Sequence, residues 1–336
     1  MRVWALFSLL APLLILGDTE CPIVPYTSDD RRTNKHSIRI VQYNAEWLFV
    51  DDYPAFGCPG ENCTWKNTTE AQIHLEYVAD AISELNPDII NLCEVEGCDE
   101  LNMLAYVLND STYRSYLRQG TDTSTGQNVG MLTRIDPTMN LYRTEERAEY
   151  PIPGSKCNYT GVGGTTGVSK HYITEFEFSG VKVAFIGAHL LANPTDPLRC
   201  AEREAQALVL KNIVLGKIAE DKEVILLGDF NDFDADIPDM NNNVPTSSVL
   251  AILKTEGYLF SVAEHIPKSK RFSDWWDPNG DCIAEKSEYS MIDYVLTTEW
   301  IRAHIINAFV WHGYDEFCGK YNSDHFPLVV DLGFIL

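Results

Sequence analysis

Residues Ile225–Asn231 read Ile-Leu-Leu-Gly-Asp-Phe-Asn, an apolar run that ends in a glycine and two polar side chains. A short apolar run bounded by glycine is typical of a buried strand. Because side chains alternate across a strand, Asp229 and Asn231 should point the same way at its end. There the carboxylate could hold water or Mg²⁺, and the amide could donate to an oxyanion. Taken alone, Gly-Asp-Phe-Asn would also fit an ordinary turn.

Three further segments place polar side chains at the ends of apolar, strand-like runs, two after the run and the third before it. They are Ile38–Leu48 with Asn44 and Glu46, Pro87–Val95 with Glu94, and Tyr321–Val330 with Asp324 and His325. The functional sites of layered α/β folds collect at strand ends. Each segment alone has an ordinary explanation, such as a helix cap, a surface ion pair or a satisfied turn. Their joint occurrence favours one shared site.

Six motifs together carry a family resemblance. They are Gln42–Trp47 (Gln-Tyr-Asn-Ala-Glu-Trp), Cys93–Val95 (Cys-Glu-Val), Gly187–Leu190 (Gly-Ala-His-Leu), Gly228–Asn231 (Gly-Asp-Phe-Asn), Ser290–Leu296 (Ser-Met-Ile-Asp-Tyr-Val-Leu) and Ser323–Pro327 (Ser-Asp-His-Phe-Pro). In this order, between Ile38 and Leu332, the set closely resembles the endonuclease/exonuclease/phosphatase superfamily. That family includes deoxyribonuclease I, exonuclease III-type repair endonucleases, neutral sphingomyelinases and inositol polyphosphate 5-phosphatases. The resemblance implies a four-layered α/β-sandwich, with two packed mixed β-sheets flanked by helices.

The resemblance also implies a site that hydrolyses a phosphodiester. Such chemistry needs an aligned water, charge stabilisation on the phosphoryl oxygens and help for the leaving oxygen. The expected ligands of Mg²⁺ (or Mn²⁺) are Glu94, Glu46 and Asp324, since Mg²⁺ prefers oxygen ligands. Asp229 should align or deprotonate the attacking water, or lie next to the metal.

The remaining catalytic candidates should act on the phosphoryl group. Asn231 and His189 should donate to its non-bridging oxygens, and His325 should contact it as an electrophile or a proton donor. Asp293 should fix the tautomer of His325 and raise its pKa, because a carboxylate partner favours imidazolium. Alone, His189 would more often be a buried core histidine, and Asp293 a simple strand-end residue.

Candidates for binding phosphate or substrate are Asn44, Lys170, His171 and Arg203. Asn44 should orient Asp229 or the phosphate. Lys170 and His171 follow Gly161–Gly167, a stretch rich in glycine and threonine whose backbone could approach a phosphate at the rim of the site. The alternatives are a flexible loop for this stretch and a solvated edge for the three basic residues.

The chain of 336 residues has a formal charge of −23 and is 45% hydrophobic. This charge disfavours a long basic groove that tracks many phosphates. It does not exclude phosphate esters, because a metal ion in a pocket can reverse the local sign. The hydrophobic content can build a substantial core. Since no linker-like, low-complexity or repeated segment is evident, we expect residues 21–336 to form a single endonuclease/exonuclease/phosphatase domain.

Residues 1–20 have the pattern of a secretory signal peptide. Arg2 supplies the positive start, and Trp4–Leu16 form an apolar core that is too short for a membrane span. No later apolar run is long enough to cross a bilayer, so we expect a secreted protein or one in the lumen of the secretory pathway. Four sequons, at Asn62, Asn67, Asn109 and Asn158, fit a glycosylated exported protein.

Nine cysteines agree with export, since disulfides persist in oxidising compartments. The suggested pairs are Cys58–Cys63, Cys93–Cys98, Cys157–Cys200 and Cys282–Cys318, with Cys21 left over. Connectivity does not follow from sequence alone. No spacing of cysteine and histidine is typical of a zinc site.

The pattern along the chain mixes hairpins with helices between strands. Helices are predicted at about Thr69–Leu85, Asp99–Leu108, Leu198–Ala219 and Ser247–Thr255, the first opened by the capping-box spacing of Thr69–Gln72. Besides the motif strands, the predicted strands are Gln127–Thr133, Ser169–Phe178, Val181–Ala188, Glu223–Leu227, Ile292–Leu296 and Phe326–Asp331, with a hairpin turn at Ser179-Gly180.

Three functions remain in competition. The first is a secreted divalent-metal-dependent phosphodiesterase, foremost a deoxyribonuclease I-like endonuclease acting on DNA or RNA. The second is a sphingomyelinase-like or other small-substrate phosphoesterase, for which the aromatic patch Phe272–Trp276 would be a platform for a base or a lipid rather than core. The Pro-x-Trp-x-Asp-Arg signature of the inositol phosphatases is absent around Asp293. The third is a non-catalytic binding protein, which the retention of every catalytic position disfavours.

Overall fold

The computed structural model describes residues 21, 23–50, 57–61, 63–314 and 321–334. The predicted signal peptide, the sequon at Asn62 and Cys318 lie outside these residues. In chain order the elements are β1 (Ser37–Leu48), α1 (Thr68–Leu85), β2 (Ile89–Val95), α2 (Cys98–Leu108), β3 (Arg114–Leu117), β4 (Asn128–Thr133), β5 (Ala148–Tyr150), β6 (Gly164–Thr166), β7 (Lys170–Phe178), β8 (Val181–His189), α3 (Pro197–Ala219), β9 (Glu223–Asp229), α4 (Val249–Leu253), β10 (Phe260–Ser261), β11 (Asp274–Trp275), β12 (Tyr289–Ser290), β13 (Asp293–Thr297), α5 (Glu299–Ala303), β14 (Ile305–Val310) and β15 (Leu328–Gly333). Among the described helices, none has the length and apolar character needed to span a bilayer.

Two mixed sheets form the centre of the molecule. The first has six strands in the order β14-β15-β1-β2-β4-β3, and the second has five in the order β10-β13-β9-β8-β7. Each contains one parallel pair, β1 with β2 and β8 with β9, and its other neighbours are antiparallel. The short strands form two ribbons, β5 with β6 and β11 with β12.

The alternation of side chains along β1 shows how the layers are built. Ile38 and Ile40 belong to the large core cluster that contains buried residues of both sheets. Val41 and Tyr43, which point the other way, pack with α1 and α2. Fully burying such a side chain contributes about 1.5–3 kcal/mol. On the far side, α3 covers the second sheet and contacts α4, which confirms the predicted four-layered α/β-sandwich.

The helix and strand predictions differ from the structure mainly at element ends. The capping prediction at Thr69 is wrong, because Asn67 is the N-cap of α1 and its side chain accepts from the Glu70 backbone N at 3.1 Å. The helix predicted over Ser247–Thr255 is shorter, since Val249–Leu253 is followed by a 3₁₀ turn. Part of the stretch predicted as a loop forms β6, paired with β5.

The disulfides correct one predicted pairing. Cys58–Cys63 and Cys157–Cys200 are bonded, whereas Cys98 pairs with Cys21 and leaves Cys93 as a free, buried thiol. The Cys93–Cys98 prediction was wrong because the Cys93 side chain packs in the core between the sheets, while α2, which begins at Cys98, packs on the opposite face of the first sheet. Cys282 is disulfide-bonded, and its predicted partner lies outside the described residues.

Candidate active site

The candidate site lies at one edge of the two sheets, where strand ends meet across the gap between them. Because β1 and β2 are parallel, as are β8 and β9, the residues Asn44, Glu94, His189 and Asp229 all lie at carboxyl ends of strands. Asp293 opens β13 directly opposite Asp229 in the antiparallel register. Five predicted segments far apart in sequence are thus brought to one place.

His325 reaches this edge from the segment that precedes β15, and its ring pairs closely with Asp293. Its Nδ1 lies 2.7 Å from Oδ2 of Asp293. The Asp293 carboxylate also accepts from Gln42 Nε2 at 3.0 Å and from Ser273 Oγ at 2.9 Å. Burial by itself would lower the pKa of His325, but the charges of Asp293 and nearby carboxylates raise it well above its ordinary value. The ring is therefore an imidazolium at neutral pH.

Asp229 connects the groups on both sheets. Its Oδ2 accepts from Asn44 Nδ2 at 3.1 Å and lies 3.5 Å from His189 Nε2 and 3.9 Å from His325 Nε2. Its Oδ1 accepts from the backbone N of Asn231 at 2.9 Å. Burial, assisted by the charge of Asp293, raises the pKa of Asp229 to about 8. A carboxylate with such a pKa is suited to accept a proton near neutral pH.

His189 has the opposite electrostatic character to His325. Burial lowers its pKa well below the ordinary value, and the charges of Lys170 and His325 act in the same direction. Among the described residues its Nδ1 has no hydrogen-bond partner. The surroundings thus favour a neutral imidazole at His189 and an imidazolium at His325, both near the Asp229 carboxylate. His325 is therefore suited to act as an acid, and His189 as a neutral hydrogen-bond donor.

The acidic side of the site combines crowded carboxylates with an unusual backbone. Glu94 Oε1 accepts from Asn44 Nδ2 at 3.3 Å, and Glu46 Oε2 accepts from the backbone N of Asp324 at 2.9 Å. Burial and the charge of Asp324 raise the pKa of Glu46 well above its usual range, and burial raises that of Asp324 to about 7. Glu46 and Glu94 have φ of 46° and 63°, values that are rare outside glycine and cluster at functional sites.

These carboxylates fit a divalent cation by their chemistry. Like charges held together in a buried place are unfavourable, and a bound cation would compensate them. Among the described residues, no set of three or more His, Cys, Asp or Glu side chains is arranged to hold a metal ion by itself. Mg²⁺ is usually bound by one or two carboxylates with waters and substrate. Glu94 together with Glu46 or Asp324 matches that smaller requirement, and their ligand roles stay predictions.

Three predicted substrate contacts lie beside the central cluster and bond to other groups. Lys170 Nζ donates to Gln127 Oε1 at 3.1 Å. His171 uses both ring nitrogens, one near the Thr144 backbone N and one near the Val168 carbonyl. Arg203 on α3 is buried, and its Nη1 donates to the Leu191 carbonyl at 2.9 Å. Asn231 is nearer, and its Nδ2 donates to the Leu190 carbonyl at 3.2 Å.

Three further residues of the site were not predicted from the sequence, namely Gln42, Ser273 and Asp274. Gln42 could have been found, because it lies two residues before Asn44 and so on the same face of β1. Asp274 was hidden in the aromatic patch. Its Oδ1 lies 3.8 Å from His325 Nε2, and its Oδ2 accepts from Ser290 Oγ at 2.8 Å. In the patch itself Trp275 is buried and Trp276 is 68% exposed.

Known proteins with related sequences and folds bear on this site. The model of the family described as Endonuclease/Exonuclease/phosphatase matches residues 41–309. Among curated proteins, none matches the sequence. A solved endonuclease/exonuclease/phosphatase family protein from Bacteroides thetaiotaomicron is similar over 93% of this chain and 98% of its own, with a TM-score of 0.54 and 16% identity.

Two further solved structures are similar at the level of the fold. One is a mannosyl-6-phosphatase from Bacteroides thetaiotaomicron, with 16% identity, a TM-score of 0.53 and coverage of 88% of this chain and 100% of that one. The other is D. rerio TDP2 complexed with a single-strand DNA product, with 16% identity, a TM-score of 0.51 and coverage of 88% and 98%.

Proposed function

Because this chain belongs to the Endonuclease/Exonuclease/phosphatase family, whose members are phosphoester hydrolases, we propose that it is a secreted, divalent-metal-dependent phosphodiesterase that cleaves DNA or RNA internally. The observation that carries the proposal is the 2.7 Å contact of His325 with Asp293, directly beside the buried Asp229. Asp229 is placed to accept a proton, and His325 is placed to stabilise or protonate an oxygen. Phosphodiester hydrolysis requires both actions.

The residues divide the reaction as follows. Asp229 orients the attacking water and takes its proton, while Asn44 fixes the carboxylate from the opposite sheet. His189, as the neutral imidazole, and Asn231 donate to the non-bridging oxygens. His325 stabilises charge on the phosphoryl group or protonates the leaving oxygen, and Asp293 holds its ring.

A divalent cation would add Lewis-acid polarisation of a phosphoryl oxygen when bound. The side chains that would hold it are Glu94 with Glu46 or Asp324. Their oxygen donors suit Mg²⁺ or Mn²⁺ rather than a metal ion that prefers thiolate ligands.

We also propose that residues 1–20 are a secretory signal peptide followed by one domain over residues 21–336. The three described disulfides are consistent with an extracellular or secretory protein. Asn67, Asn109 and Asn158 are exposed, as glycosylation requires.

Nicking of supercoiled plasmid by the purified protein with Mg²⁺ tests the main proposal. We expect nicking by the wild type, and its loss with EDTA or in His325→Ala. His36→Ala is the matched control, because His36 is an exposed histidine. A folded wild type that nicks no plasmid and cleaves no RNA would overturn the nuclease proposal.

A small-substrate or lipid phosphoesterase is the second candidate, and one observation favours it. Trp276 and Ile283 are 68% and 62% exposed on the segment that follows Asp274, so an apolar surface adjoins the site. Turnover of sphingomyelin vesicles, reduced in Trp276→Ala while plasmid stays intact, would support this reading. No turnover of any phosphoester would leave the non-catalytic binding protein.

A further inference from the structure

A cleft of about 210 Å³ adjoins the candidate active site and has no role in the mechanism above. Its walls include Ser169, which precedes Lys170, and Leu191, which lies two residues beyond His189. Since consecutive Cα atoms are 3.8 Å apart, the Cα of Leu191 is within about 8 Å of that of His189. The backbone that carries Lys170 and His189 thus continues directly into the cleft walls.

Two side chains fix the cleft walls to the sheet and to α3. Gln206 accepts from the Leu191 backbone N at 3.0 Å and donates to the Gly167 carbonyl at 3.1 Å. His171 Nε2 lies 3.0 Å from the Thr144 backbone N, which secures the neighbouring Arg143. The end of the predicted glycine-rich stretch is thus one wall of a braced cavity.

Three arginines line this cleft, Arg143 and Arg147 from one segment and Arg199 from α3. The whole chain has 26 basic and 49 acidic residues, so such a local concentration of arginine runs against the overall charge. Three glutamates also line the cleft, namely Glu145, Glu146 and Glu202. Glu145 is 81% exposed, and Glu202 lies 3.5 Å from Arg199 on the same helix.

Arg143 gives the strongest indication of an anionic ligand. Its side chain is only 9% exposed, and its Nη2 donates to Thr121 Oγ1 at 3.2 Å and to the Val168 carbonyl at 3.3 Å. Its Nε has no hydrogen-bond partner among the described residues, and the acid that pairs with it, Glu145, is mostly solvated. A buried guanidinium nitrogen without an acceptor is unfavourable, and a phosphate would supply further acceptors beside the ion pair with Glu145.

We propose that this arginine cleft binds a second phosphate of the substrate, carried by the nucleotide next to the scissile bond. The inference rests on the proposed phosphodiesterase function and narrows its substrate class. Strand fragments with two or more phosphates are preferred over phosphodiesters that carry a single phosphate. A choline phospholipid is disfavoured, because its second charge is positive.

The test compares kcat/KM, with Mg²⁺, for the thymidine dinucleotide TpT and for the same dinucleotide with a terminal phosphate at its 5′ or 3′ end. We expect the wild type to prefer one phosphorylated form by about tenfold or more, the range of one charge-assisted contact. The ratio should fall towards one in Arg143→Gln and in Arg199→Gln. Because Arg199 is exposed, Arg199→Gln should fold normally. Its kcat/KM ratio therefore tests the cleft even if Arg143→Gln fails to fold.

Arg302→Gln is the matched control, since Arg302 lies on α5 and pairs with Glu264 and Glu299. It should keep the wild-type ratio. A wild-type ratio of one, or a ratio unchanged in both cleft variants, overturns the cleft while leaving the phosphodiesterase in place. If no dinucleotide is hydrolysed, plasmid nicking alone decides the proposed function. Calorimetric titration with phosphorylated and unphosphorylated TpT then tests the cleft, and equal affinities for the two would overturn it.

Discussion

The two ends of the packed sheets differ in how their buried or partly buried acids are paired. At the end away from the site, each aspartate meets an arginine. The pairs are Arg32–Asp30, Arg134–Asp110 and Arg39–Asp331, at 2.8, 2.7 and 2.7 Å. Burial alone would raise the pKa of Asp30, but hydrogen bonds from Arg32 and Lys35 lower it to about 2. These acids are paired and structurally satisfied.

At the catalytic end the same residue type lacks such partners. Burial raises the pKa of Asp229 to about 8 and that of Asp324 to about 7. Within the described residues, the basic side chains within 4.0 Å of the Asp229 carboxylate are those of His189 and His325, with no arginine or lysine among them. The difference teaches that deep burial without an arginine partner separates an acid available for chemistry from one that stabilises the fold.

Of the substitutions at the two ends, that of Asp229 should have the largest effect on activity. We expect Asp229→Asn to lower kcat/KM about 10²–10⁴-fold, because it removes the proton acceptor. Its native pKa lies above the ordinary value of about 4, so the wild type loses stability as the pH rises from 4 to 8. In EDTA, urea unfolding at pH 6 and pH 8 should show a steeper loss for the wild type than for Asp229→Asn. Parallel losses would contradict the raised pKa.

His74 contacts the backbone next to the candidate site, and its substitution should have the next largest effect, on the dependence of stability on pH. Its ring nitrogens lie 2.6 Å from the carbonyls of Tyr321 and Ala45. Burial lowers its pKa to about 4 despite these carbonyls. The native ring stays neutral while the unfolded chain gains a proton below about pH 6.5, so stability present above that pH is lost towards pH 4, by up to about 3 kcal/mol.

His74→Gln keeps a donor but cannot titrate, so its unfolding free energy should fall less than that of the wild type between pH 7.5 and pH 5. Urea unfolding at the two pH values measures this difference. The exposed His36 provides the comparison, and His36→Gln should follow the wild type. An acid response of His74→Gln equal to that of the wild type would refute the assignment.

Arg39 tests the opposite end of the sheet. Its guanidinium donates twice to Asp331, and its Nη1 donates to the Leu85 carbonyl at 2.8 Å. Arg39→Ala should lower the free energy of unfolding by about 1–3 kcal/mol, with kcat for a phosphodiester unchanged. Asp331→Ala and the double variant complete a cycle that isolates the pair. A large loss of kcat in folded Arg39→Ala would show that the two ends are coupled.

A bound cation should reduce the contrast between the two ends, and this is the smallest expected effect. Millimolar Mg²⁺ should raise the melting temperature of the wild type, because an ion that binds only the native state stabilises it by mass action, by about 1–3 kcal/mol. The rise should shrink in Glu94→Gln. Arg39→Ala, remote from the carboxylates, should keep the full rise. An equal response of Glu94→Gln and wild type would remove Glu94 from the ligand set.

The sequence was sufficient for the layers and for most of the catalytic edge. The strand carrying Gly228 and Asp229 is readable because its apolar run ends where the polar groups begin, and the helix over residues 68–85 has a clear apolar period. Gly228 also fits this position physically, since a Cβ there would lie 1.7 Å from the Ala188 carbonyl oxygen. Features of this kind can be predicted from the sequence because they depend on residues close together in the chain.

What the sequence could not supply are contacts made across the fold. Asp274 and Ser273 meet His325 and Asp293 only because β11 packs against the segment before β15. The arginine cleft likewise combines segments that are distant in sequence, among them those of Arg143, Ser169 and Arg199. The cysteine pairing failed for the same reason, since five residues of spacing do not reveal that Cys93 and Cys98 lie on opposite sides of a sheet.

The bond between Cys21 and Cys98 also bears on how the protein matures. Cys98 is the fifth cysteine in the chain, and Cys58, Cys63 and Cys93 all leave the ribosome before it. The first thiol therefore waits while three wrong partners are available, and we expect early mispairing that only disulfide exchange can correct, over seconds to hours. Recombinant production should accordingly favour a host compartment that contains an isomerase, and replacing Cys93 should raise the yield of correctly bonded protein.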